Sequence, residues 1–160
     1  MKAKYLFLSF FLLSNIIFAQ IPLYKQASAP LEARVQDLLQ RMTLEEKAGQ
    51  ILCPMGWQMY SKNKDEVLLS SLFKQKMDSP MPIGAFWAVL RADPWTQKNM
   101  QTGLNPELSA KLLNQMQKYA VEKTRLGIPI LFAEECAHGH MAIGTSVFPT
   151  GLAMASTWNE

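Results

Sequence analysis

The 160-residue chain is short of several things that would narrow its role at once. It has little net charge: the formal +3 falls to +1 once Lys2 and Lys4 of the N-terminal leader are set aside. That balance argues against nucleic acid or an anionic membrane surface as a partner. It has only two cysteines, Cys53 and Cys136, so no disulfide framework or cysteine-rich metal module is available. Each stands at the end of an expected strand; an exported protein permits a disulfide between them, but free buried thiols are expected, because the strand near Ile83 should separate the two. There is no internal repeat and no low-complexity tract. No apolar run reaches the ~20 residues needed to span a bilayer.

What is present is hydrophobic content of 49%, ordinary for a globular domain. Residues 1–19 carry Lys2 and Lys4, then an apolar stretch over 5–18 and the small Ala19. This is the pattern of a secretory signal peptide cleaved after Ala19, leading to the periplasm or the exterior, with no stable membrane anchor. The other reading of this stretch is an uncleaved anchor. No cysteine follows the cleavage point, which argues against a lipid-modified N-terminus.

Residues 20–30 read as a linker rich in Pro, Ser and Ala. Val35, Leu38, Leu39 and Met42 recur at helical spacing and predict a surface helix with one apolar face. Thr43 and Glu46 form a capping-box signature that starts a new helix. Residues 51–53 are the first strand candidate, ended by Pro54 and Gly56. A second helix is expected over 65–76 and a second strand over 83–90, followed by the loop Arg91-Ala-Asp-Pro-Trp95. Asn105-Pro106-Glu107 is a strong helix start, with Leu108, Leu112, Met116 and Tyr119 on the buried face and Gly127 as the stop. A fully buried third strand is expected over 128–133. Strand, helix, strand, helix, strand predicts a parallel α/β sheet, which periodicity alone cannot assign to a barrel or an open form.

The third strand ends in Glu134-Glu135-Cys136-Ala137-His138-Gly139-His140. Polar groups at the C-terminal end of a buried parallel strand are where such folds hold ligands. Strand residues alternate, so Glu134 and Glu135 point opposite ways and only one faces the mouth; the period does not say which. A carboxylate there suits sugar hydroxyls, because a charged acceptor makes hydrogen bonds about twice as strong as a neutral one. His138 and His140 beside two glutamates are also compatible with a divalent metal. The preferred reading has His138 hydrogen-bonding locally to order the loop after the strand and His140 partly exposed, with no cofactor. Trp57, Trp87, Trp95 and Trp158 offer flat faces for pyranose rings. Trp87 is expected in the core, and Trp95 is the better candidate. The ten methionines read as core filler.

Two separated motifs carry a resemblance. One runs Arg125-Leu-Gly-Ile-Pro129, then the apolar strand, Glu135, His138-Gly139, Phe148-Pro149 and Ala155 to Asn159. The other is Arg34-Val-x-Asp-Leu-Leu-x-Arg-Met-Thr-Leu-Glu-Glu-Lys-x-Gly-Gln50. Both resemble glycoside hydrolase family 3, the β-glucosidase and β-xylosidase family. The resemblance implies the N-terminal part of a (β/α)8 barrel over 31–160. A whole barrel needs roughly 250 residues, so the chain is expected to be a fragment of about three strands, poorly stable alone because its sheet edge lies open. It further implies an exo-acting, retaining enzyme on β-linked glycosides, with Glu135 as the acid that binds the terminal non-reducing sugar and Glu134 and His138 as supporting groups. Neither catalytic carboxylate is expected in this stretch. The nucleophilic aspartate belongs to a later strand, as do the Lys-His pair and the Arg that also hold the sugar, and the acid/base glutamate to a following α/β sandwich domain. A non-catalytic sugar-binding remnant is the alternative of another class, and a metal-dependent hydrolase is a more distant one.

Overall fold

The computed structural model describes residues 21–159, so the leader lies outside the described residues. They form two units, one closing at Arg41 and one opening at Met42. In the first, a 3-10 turn at Leu23–Lys25 meets helix α1, Leu31–Arg41. Asp37 accepts from the Tyr24 amide at 3.0 Å, and Arg34 donates to the Tyr24 carbonyl at 3.1 Å, so part of the stretch read as a linker is an ordered turn. Side-chain bonding from Arg41, at 2.9 Å, is the main cause that holds the Asp37 carboxyl below its ordinary value. No residue of α1 is buried.

The second unit opens on the expected capping box. Thr43 accepts from the Glu46 amide at 3.2 Å, and Glu46 accepts from the Thr43 amide at 2.9 Å, which starts α2 at Leu44–Gln50. The strand expected over 51–53 does not form. The amides of Ile51 and Leu52 are used by the last carbonyls of α2, Ala48 and Gly49, and Ile51 is exposed. Strand-like pairing begins later: the Trp87 amide donates to the Pro54 carbonyl at 3.0 Å, and the Gly56 amide to the Trp87 carbonyl at 2.7 Å, with Met55 bridging Trp87 in parallel. A Cβ at Gly56 would press on the Val89 backbone at 2.9 Å, so this close approach requires glycine.

The helix expected over 65–76 is also corrected. An antiparallel hairpin, β1 at Tyr60–Asn63 and β2 at Glu66–Leu69, occupies its first half. Lys64 takes the left-handed conformation at the turn, with φ 51°. The helix, α3 at Ser71–Met77, starts only where the Ser70 hydroxyl accepts from the Phe73 amide. Strand β3, Ala85–Trp87, pairs in parallel with β4, Leu131–Ala133, in the register Phe86 opposite Phe132. Between them α4, Pro106–Lys123, begins as read, with Asn105 accepting from the Leu108 amide at 2.9 Å. Its stop differs: the helix ends at Thr124, and Gly127, φ 64°, lies beyond it.

Leu108, Leu112, Met116 and Ala120 of α4 pack on Phe73, Phe86, Val89 and Ile130. The third strand is shorter and wetter than expected. Pro129 has no amide to donate, and the Gln117 side chain takes both backbone groups of Ile130, at 2.7 and 2.9 Å, so the ladder starts at Leu131. Leu131 is 68% exposed. Among the described residues β4 pairs with β3 alone. The segment 54–56, β3 and β4 therefore run parallel side by side, and their C-terminal ends open on one side. A short helix, α5 at Gly151–Ala155, follows, capped by Thr150. Cys53 and Cys136 are free, as expected, but both are exposed rather than buried, because each lies in a loop outside the ladders.

Candidate functional site

The three parallel segments deliver their next residues to one place. Trp57 follows 54–56. Ala88 to Trp95 follow β3, and Glu134 to His140 follow β4. Ala88 leaves β3 in the left-handed conformation, φ 58°, fully buried, and so turns the chain sharply at the strand end. Its amide donates to the Ala133 carbonyl at 2.7 Å. The two loops are then stitched together: the Ala92 amide donates to Met141, and the Met141 amide to the Glu135 carbonyl.

Glu134 and Glu135 do point to different partners. Glu134 is the more buried, its side chain 17% exposed against 36% for Glu135. One Glu134 oxygen accepts from the Leu90 amide at 3.1 Å, and the other lies 3.4 Å from His140 Nε2. Burial, assisted by the Glu134 charge, pushes the neighbouring Tyr60 phenol up to about 12. Glu135 Oε2 accepts from Arg91 Nη1 at 2.6 Å.

Arg91, read in the sequence only as part of a loop, is the hub. Its guanidinium also bonds Asp93 Oδ2 at 2.7 Å. It lies 4.7 Å from the ring centroid of Trp95 and 5.6 Å from that of Trp87. Those two rings and Trp57 form an edge-packed cluster with centroids 4.9 to 6.1 Å apart. Burial acts to raise the Asp93 pKa, but hydrogen bonds from Thr96 and Arg91 overrule it and hold the carboxyl below its ordinary value. The positional signal that pointed to Glu134 and Glu135, a place just beyond a parallel strand, applies equally to Arg91, Asp93 and Trp57.

Trp95 keeps 54% of its surface exposed beside Arg91, whereas Trp57 is buried and Trp158 stands apart, 95% exposed. His138 is placed near the site by backbone: its carbonyl accepts from the Phe148 amide at 2.7 Å. Gly139, φ 95°, follows, and a Cβ there would strike the Ser146 carbonyl, so the tight loop that carries both histidines depends on glycine. Among the described residues, no three His, Cys, Asp or Glu side chains gather closely enough to hold a metal ion. No described helix is long and apolar enough to cross a membrane. The arrangement offers one partly exposed carboxylate with a free oxygen, set beside an exposed aromatic face, which is equipment for binding a polyhydroxylated ligand.

Residues 43–160 match the family described as "Glycosyl hydrolase family 3 N terminal domain". The chain is 31% identical over 137 residues to a putative beta-xylosidase of Formosa agariphila, an alignment covering 85% of this chain and 16% of the relative. It is 31% identical over 145 residues to beta-glucosidase C of Emericella nidulans, covering 85% and 21%. It is 30% identical over 149 residues to the periplasmic beta-glucosidase of Salmonella typhimurium, covering 92% and 15%. The chain thus spans about a fifth or less of the length of these relatives. With its N-terminal domain matched over residues 43–160, most of the chain, the protein belongs to glycosyl hydrolase family 3.

Proposed function

We propose that this chain is the first part of an exported, retaining, exo-acting β-glycosidase that removes terminal non-reducing β-D-glucosyl or β-xylosyl residues. Residues 1–19 serve as its cleaved leader, 20–30 as a linker that includes the ordered turn at Leu23–Lys25, and 31–160 as the first strands of a (β/α)8 barrel. The substrate class is supported by the names of its relatives, beta-xylosidase and beta-glucosidase. The two carboxylates of a retaining enzyme, about 5–5.5 Å apart, come from later parts of the full-length protein. This chain supplies one wall of the subsite for the terminal sugar.

The observation that carries the reading is the pairing of Glu135 with Arg91 through one oxygen, with the side chain still 36% exposed. Glu135 Oε1 accepts hydrogen bonds from sugar hydroxyls, Trp95 lies against a sugar face, and Glu134 and His138 support the loop. The test is Glu135→Gln in the full-length enzyme, assayed on aryl β-glucosides and β-xylosides. Charge-assisted bonds contribute roughly 1.5–3 kcal/mol, so kcat/KM falls by about one to two orders of magnitude. Glu134→Gln costs much less, because Gln still accepts from the Leu90 amide. Equal effects at both positions, or a larger one at Glu134, overturn the assignment. Sugar binding by the full-length protein with no turnover of either glycoside favours a non-catalytic role instead.

A further inference from the structure

We propose that Arg91 is the positioning residue for Glu135: it locks the carboxylate before substrate arrives, so that one oxygen is held by the guanidinium and the other is presented to the sugar. The inference rests on the assignment of Glu135 above.

An arginine on a loop normally retains many rotamers, and holding it costs entropy that weakens any contact it makes. Here that freedom is already removed. The Arg91 side chain is only 12% exposed. Its Nε and Nη2 both reach Asp93 Oδ2, at 2.7 Å each, while Nη1 reaches Glu135 Oε2. Asp93 is itself held: its Oδ1 accepts from the Thr96 amide at 2.9 Å, its own amide donates to the Thr96 hydroxyl at 3.1 Å, and Thr96 is buried. The guanidinium rests against the adjacent rings of Trp95 and Trp87. The planar fork therefore has its direction set by Asp93 and its tilt set by the tryptophans, and Glu135 inherits both. One guanidinium between two carboxylates leaves a local charge of −1. That suits neutral hydroxyl donors and disfavours an anionic sugar.

Lysine cannot substitute. Its ammonium is a point charge with no fork to bridge Asp93 and Glu135 in fixed geometry and no plane to lie against the indole of Trp95. Arg91→Lys in the full-length enzyme is expected to lower kcat/KM about tenfold on an aryl glycoside, with thermal unfolding close to wild type. The deciding measurement is the cycle with Glu135→Gln. If Arg91 acts through Glu135, Arg91→Lys added to Glu135→Gln costs no more than about twofold further. Added guanidinium restores part of the activity of Arg91→Ala but none of that of Arg91→Ala/Glu135→Gln. Losses that multiply in the double variant, rescue that ignores residue 135, or an Arg91→Lys enzyme as active as wild type each overturn the proposal. The first two outcomes leave Glu135 standing as a sugar ligand. A silent Glu135→Gln instead removes the assignment on which the proposal rests.

Discussion

Arg125→Ala is expected to reverse the contribution of one carboxylate to stability in acid. Glu46 closes the capping box of α2 and accepts from Arg125 through both carboxylate oxygens, the Nε bond measuring 2.9 Å. The Glu46 side chain is 8% exposed and the Arg125 side chain 56%. Breaking a fully buried pair from one side costs about 3–5 kcal/mol, and a surface pair contributes about 0–1 kcal/mol. A half-wet guanidinium and a surviving bond from the Thr43 amide place Arg125→Ala between them, at about 1–3 kcal/mol near neutral pH. The pH dependence is the sharper test. Bonding from Arg125 outweighs burial and holds the Glu46 carboxyl below its ordinary 4.5. The folded state thus binds fewer protons, and the stability from the pair is complete above that value and lost as pH falls through the lower folded one. Without Arg125, burial dominates and the shift changes sign. The deficit of Arg125→Ala therefore shrinks as pH drops. Urea unfolding of the full-length protein by tryptophan fluorescence, stepped from about pH 7 to about pH 3, reads it directly. A deficit that stays constant across that range refutes the reasoning.

Gly139→Ala is expected to lower kcat/KM more than it lowers the melting temperature, because the left-handed backbone and the Ser146 carbonyl exclude a Cβ in the loop that orients the site rather than in the core; a loss of stability with unchanged kinetics contradicts this. A reporter fused after about residue 26 is expected to cross the inner membrane and lose residues 1–19. An intact leader by mass spectrometry would mean an uncleaved anchor instead.

The parts of this protein legible in its sequence are those decided within one turn of chain. Thr43 with Glu46 and Asn105 with Pro106 each complete a helix start from neighbouring residues, and both starts appear where read. The family motifs, and the crowding of acids and imidazoles beyond the third strand, are legible for the same reason. The hairpin over Tyr60–Leu69 was hidden because Val67, Leu68, Leu72 and Phe73 fall at helical spacing, while the Ser70 cap divides them between a strand and a helix. What only the tertiary structure decided is which glutamate binds what. Glu134 finds the Leu90 amide and Glu135 finds Arg91, both partners lying 44 residues away in the chain. Alternation tells that two adjacent strand residues diverge, but not toward which neighbour. The parallel register of β3 against β4 sets that, and it draws on Phe86, Phe132 and the α4 face packing into one core. Side-chain direction at a strand end is a property of the sheet, because the pleat is shared by every strand in it.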